Sequence, residues 1–84
     1  MSEVKVSIKG FAFNPTAVTV KAGTKITWTN EDGAPHTVTS SDGTLNSPRL
    51  ATGQTFSFTP TAAGTINYHC AVHPSMVGKV VVTE

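Results

Sequence analysis

Residues 68–76 read "YHCAVHPSM", Tyr68 to Met76. This stretch holds the sole cysteine, Cys70, two of the three histidines and one of the two methionines. Side chains on a strand alternate between faces. In the run "GTINYHC", Ile66, Tyr68 and Cys70 share one face while Asn67 and His69 share the other. The thiol therefore ends a strand looking into the molecule, and His69 looks to solvent as a non-ligand. His73 and Met76 follow on a tight loop containing Pro74.

The same alternation extends outward from this stretch. "VKVSIKG" aligns Val4, Val6 and Ile8, "AVTVKAG" aligns Val18 and Val20, "KITWTN" aligns Ile26 and Trp28, and "QTFSFTP" aligns Phe56 and Phe58. "HTVTSS" and "VGKVVVTE" complete seven short strand candidates rich in Val, Thr, Ile and Phe. Turn signals at Ala22-Gly23, Asp32-Gly33, Asp42-Gly43 and Ala63-Gly64 separate them. The pattern predicts an all-β fold, a small antiparallel Greek-key β-sandwich or barrel of seven to eight strands, with residues 1–84 as one domain. Residues 40–53 are the least regular and read as a long surface connection. Phe11 and Phe13 read as strand-edge or core aromatics.

Composition excludes several roles. Six Lys+Arg face five Asp+Glu, and only 13% of residues are charged, so there is no electrostatic footprint for nucleic acid. No apolar run approaches the ~18 residues of a membrane span. Cys70 has no partner for an intrachain disulfide. A secretion signal, if the protein is exported, is expected to have been removed already. No nucleophile triad, paired carboxylates or phosphate-binding loop suggests an enzyme.

His36 stands at the start of the "HTVTSS" strand, just after the turn "EDGAP". Strand ends and loops gather at one pole of a sandwich, which lets His36, Cys70, His73 and Met76 meet. Singly, each has a plain explanation, as surface histidines or as buried sulfur side chains. Together they form a soft set of two imidazoles, a thiolate and a thioether, the arrangement of blue-copper electron-transfer sites. Zinc also accepts two His and one Cys, but it has little use for the thioether.

The segments "FAFNP", "TVKAGTKITWTN", "PHTV" and "CAVHPSMVGKVVV" resemble the cupredoxins, the type 1 blue copper proteins. The likeness runs from Val4 to Val82, and the Cys-x2-His-x2-Met spacing is similar to the short copper loop of the amicyanin- and plastocyanin-like branch. The resemblance implies one copper, with His36, Cys70 and His73 as equatorial ligands and Met76 as the axial one. Three positions lie just behind the ligands, namely Pro35, Thr37 and Val72. Thr37 stands where relatives usually carry an Asn that ties the two ligand segments together, so its shorter hydroxyl is expected to take over that tie. Val72 keeps an amide N–H where several relatives have Pro; an N–H on the sulfur would raise the reduction potential.

The implied function is a small electron carrier cycling between Cu(I) and Cu(II), with His73 as the exposed electron port. Transient redox partners are expected at an apolar patch of Pro35, Ala71, Val72 and Pro74. The resemblance also implies a monomer in the periplasm or another extracytoplasmic space. The alternative is copper storage or delivery without a dedicated redox partner. A fragment of a multicopper enzyme fits less well, because 84 residues supply one copper site and no further His cluster for a catalytic centre.

Overall fold

Lys25–Asn30 shows why this chain forms sheets: Ile26 and Trp28 are fully buried while Thr27 and Thr29 stay half-exposed. β-branched and aromatic side chains suit such a pleated, one-sided surface. The computed structural model describes residues 3–84, so the first two residues of the expected 1–84 domain lie outside it. Eight strands follow in order: β1 (Glu3–Ile8), β2 (Phe13–Asn14), β3 (Ala17–Lys21), β4 (Lys25–Asn30), β5 (Thr39–Ser40), β6 (Thr55–Phe58), β7 (Gly64–His69) and β8 (Val77–Thr83). They form two four-stranded sheets, ordered β2-β1-β4-β6 and β3-β8-β7-β5. The all-β sandwich expected from the alternation is thus present. Among the described residues there is no helix long and apolar enough to cross a membrane.

Three details depart from expectation. Pairing is not wholly antiparallel, since β1 runs parallel to β4 and β3 parallel to β8. Between β1 and β4 the chain visits the opposite sheet at β3, and a crossover of this kind brings a strand back in the same direction. The "HTVTSS" candidate shrinks to the two residues of β5, because His36 leaves the ladder and forms an isolated bridge with Leu50. Residues 40–53 are not a surface connection throughout. Leu45 and Leu50 are buried in the core, and Ser47 Oγ accepts the Val38 N–H at 2.7 Å.

The sheets share one apolar interior, to which Val6, Ile8, Ile26 and Trp28 contribute from one side and Val20, Tyr68, Val80 and Val82 from the other. Trp28 Nε1–H donates to the Tyr68 hydroxyl at 3.2 Å across the two sheets. The ring of Phe13 meets Tyr68 edge-on at 4.7 Å. Burial pushes the Tyr68 phenol above its ordinary pKa, and the bond from Trp28 works against that shift. Tyr68 is therefore a neutral, fixed post two residues before Cys70.

Gly78 pairs with Tyr68 across β7 and β8. A Cβ at Gly78 would run into the phenol ring, which Trp28 and Phe13 hold in place. Gly78→Ala is expected to destabilise the protein by about 1–3 kcal/mol through overpacking, read as a lower midpoint in urea unfolding. An unchanged midpoint would show that the ring yields freely.

Candidate metal centre

Two distant segments build the site. The first leaves β4 at Asn30, whose buried side chain is fully used: Nδ2 donates to the Ala34 carbonyl at 2.9 Å and to the Leu50 carbonyl at 2.8 Å, while Oδ1 accepts the Asp32 N–H at 2.9 Å. These bonds curl residues 30–36 into a fixed turn. His36 then exchanges both backbone hydrogen bonds with Leu50, at 3.1 and 2.7 Å, which places its imidazole wholly inside the protein.

The second segment is the loop after β7. It closes on itself, with Cys70 N–H donating to the Met76 carbonyl at 3.0 Å and Met76 N–H to the His73 carbonyl at 2.9 Å. Cys70 and Met76 are buried, and His73 is half-buried. The parity read from "GTINYHC" holds: Tyr68 and Cys70 point into the core, whereas Asn67 is exposed. His69 is half-buried rather than open to solvent, beside Thr39 and Val77 in the sheet, and takes no part in the cluster.

At the pole, one donor atom each from His36, Cys70 and His73 falls within 4.8 Å of the others. His36 Nδ1 lies 3.6 Å from Cys70 Sγ. The imidazole centroids of His36 and His73 are 5.0 Å apart. Met76 belongs to the same closed loop and is 4% exposed. His73 Nδ1 is the one buried side-chain polar atom without a hydrogen-bond partner among the described residues. Buried polar atoms are rarely left so. An unpaired ring nitrogen next to a buried thiol and a second ring nitrogen fits a soft metal ion that also accepts imidazole.

Thr37 joins the two segments twice. Its N–H donates to Cys70 Sγ at 3.3 Å, and its Oγ1 accepts the Ala71 N–H at 2.7 Å. The hydroxyl thus makes the tie expected where relatives carry Asn. Val72 differs from expectation. Among the described hydrogen bonds to the sulfur, the amide donor is Thr37's, and Val72 N–H makes none.

Two residues at the pole escaped the sequence reading. Asp32 looked like part of an Asp-Gly turn, but its Oδ2 lies 2.9 Å from His36 Nε2. The same carboxylate accepts the Gly10 N–H at 2.8 Å and the Phe11 N–H at 2.9 Å. The Phe11 N–H, then the Gly10 N–H and His36, hold the Asp32 carboxyl below its ordinary pKa against the cost of burial. A carboxylate only accepts hydrogen bonds, so Nε2 of His36 carries the proton and Nδ1 is free to bind a metal. The only sequence signal was an acidic residue four positions before the histidine.

Phe11 is neither a core nor a strand aromatic. It sits at the tip of the β1–β2 hairpin with φ of 57°, next to Gly10 at 64°, the backbone of a two-residue type I′ turn. A left-handed conformation at a non-glycine residue costs about 1–3 kcal/mol. The residue is 56% exposed, yet its ring meets His73 edge-on at 5.1 Å and His36 at 5.5 Å.

Comparison with known proteins agrees with this geometry. The family model for the cupredoxin-like domain matches residues 1–82. Amicyanin-alpha of Methylorubrum extorquens is 40% identical over 83 residues, covering 93% of this chain and 70% of that protein. Amicyanin of Paracoccus denitrificans is 37% identical over 84 residues, covering 94% of this chain and 64% of that protein. Chloroplastic plastocyanin of Tetradesmus obliquus is 36% identical over 87 residues, covering 83% and 57%. The chain thus spans less than two thirds of the length of the last two. Among solved structures, amicyanin from Paracoccus versutus superposes with a TM-score of 0.90 at 32% identity, over 95% of this chain and 80% of that one. A mutant amicyanin in its Cu(I) form gives 0.92 at 38% identity, over 99% and 84%. Fold, ligand cluster and sequence agree: the chain belongs to the cupredoxin-like family.

Proposed function

We propose that this chain is a single-domain blue copper protein that carries electrons one at a time between redox partners and is not an enzyme. One copper per chain would be held by His36 Nδ1, Cys70 Sγ and His73 Nδ1, with the Met76 thioether as a further soft donor. The observation that carries this reading is the orphaned, buried Nδ1 of His73 within 4.8 Å of a thiol and a second imidazole. The bound ion supplies a Cu(I)/Cu(II) couple; soft sulfur suits the first state and imidazole suits both.

The protein's own part is to keep the donors assembled and dry. Thr37, the bridge between His36 and Leu50, and the closed Cys70–Met76 loop hold the ligand set through bonds within the protein. A site fixed in this way needs little rearrangement when the electron moves. The Thr37 N–H on the sulfur stabilises thiolate charge. His73 is half-buried, with its ring facing Phe11. Exposed Pro35, Ala71, Pro74 and Phe11, with half-buried Val72, give an apolar rim suited to brief docking. The rim's partners would be redox proteins, as the amicyanin and plastocyanin relatives suggest. The same likeness supports a place outside the cytoplasm, and the proposed carrier is a monomer.

Cupric salt added to the purified protein is expected to give an intense blue colour and a reversible one-electron wave in voltammetry, and Cys70→Ser should lose both. Colourless wild-type protein would overturn the copper reading. With a net charge of +1, the electron-exchange rate should change little between low and physiological salt; stopped-flow kinetics showing a steep salt slope would contradict an apolar docking rim. Thr37→Val leaves the Ala71 N–H without its acceptor, at a cost of about 0.5–1.5 kcal/mol. Thr37→Asn should recover most of that loss in urea unfolding and restore exchange protection at the Ala71 amide.

A further inference from the structure

One carboxylate at the pole serves three donors on two separate segments. Asp32 Oδ1 takes the Gly10 N–H, and Oδ2 takes the Phe11 N–H and faces His36 Nε2. Its side chain is only 13% exposed, and that of His36 is fully buried. The Asp32 backbone is pinned as well, with its N–H on Asn30 Oδ1 and its carbonyl accepting the Thr52 hydroxyl at 2.6 Å. The carboxylate cannot swing away without releasing the β1–β2 turn, and that turn seats Phe11 against both imidazoles.

We infer that Asp32 is a positioning residue for the copper centre: its carboxylate fixes the ring and tautomer of His36 and, through the Gly10-Phe11 turn, holds the Phe11 ring against His73. This rests on the copper reading for its redox consequence, but not for the hydrogen bonds themselves. A carboxylate on the far nitrogen of a ligating imidazole makes that imidazole a stronger donor. Negative charge so placed favours the more highly charged Cu(II) over Cu(I). The protein would thereby lower its own reduction potential from a residue that never touches the metal. Two of the three bonds hold a non-glycine residue in a left-handed turn and the third reaches His36, so the electron-port rim and the buried imidazole share one anchor.

Asp32→Asn keeps the shape and one acceptor oxygen but removes the charge. Affinities for Cu(II) and Cu(I), each measured by chelator competition, are expected to separate. Cu(II) binding should weaken by about 10–100-fold and Cu(I) binding by clearly less. Each tenfold gap between the two losses raises the potential by about 59 mV, which voltammetry reads independently. Equal losses for both ions, or no loss for either, would overturn the tuning role.

Metal-free protein supplies the second arm. Nitrogen-15 NMR of the wild type should show His36 protonated at Nε2, with slow exchange of the Gly10 and Phe11 amides. In Asp32→Asn at least one of the two amides should lose protection, because a single acceptor oxygen remains. A wild-type His36 protonated at Nδ1, or amides unaffected by the substitution, would overturn the positioning role without any reference to copper. Wild-type protein that stays colourless with cupric salt would instead reject the electron-carrier reading, and the metal-free arm would still decide whether Asp32 holds His36.

Discussion

Thr37 carries the constraint on which the rest of the site depends. His36 and Cys70 are 34 residues apart and belong to different segments, and Thr37 joins those segments at two points. Its N–H reaches the sulfur, and its hydroxyl takes an amide from the residue that follows Cys70. Without these bonds the thiol would end a strand beside a turn with no fixed relation to it. With them, a buried thiol, a buried imidazole and a half-buried imidazole share one small volume. The arrangement costs little in backbone terms, since each N–H involved needed a partner anyway.

Behind that constraint stands the core. Tyr68 is held by Trp28 and Phe13 and lies two residues before Cys70 on the same inward face. Its place in the core sets which way the thiol points, because a one-residue slip would turn Cys70 outward and bring His69 in. The close approach of Gly78 to the phenol ring locks the register of β7 against β8. Packing of aromatic rings thus settles the direction of a sulfur atom at the pole.

What was legible in the sequence followed from local rules. Strand parity is a property of neighbours, so the inward Cys70 and the non-ligating His69 were readable from "GTINYHC" alone. The meeting of His36 with His73 required only that strand ends share a pole. The reach of Thr37 was readable because its position is defined relative to a ligand. Asp32 was hidden by its own neighbourhood: Asp-Gly is a strong turn signal, and nothing local says that the carboxylate folds back on a histidine and takes two amides from another hairpin. Phe11 was hidden because a left-handed phenylalanine has no sequence signature; only the partners of the turn explain it. Leu45 and Leu50 were missed because no alternation surrounds them, and their burial comes from bridges to residues 36 and 39 through neighbouring positions.

The strand order carries a kinetic consequence. β8 lies between β3 and β7 and pairs with both, so neither neighbour is flanked on that side until β8 arrives. β1 likewise waits for β4, across an excursion into the opposite sheet. Pairings of such long sequence separation make for a high contact order and slow folding relative to local hairpins. The Cys70–Met76 loop closes the local β7–β8 hairpin, but its thiol is covered only when the distant His36–Thr37 segment docks on it. The thiol therefore spends the early part of folding outside its protected pole, open to oxidants or stray metal ions until that docking is complete.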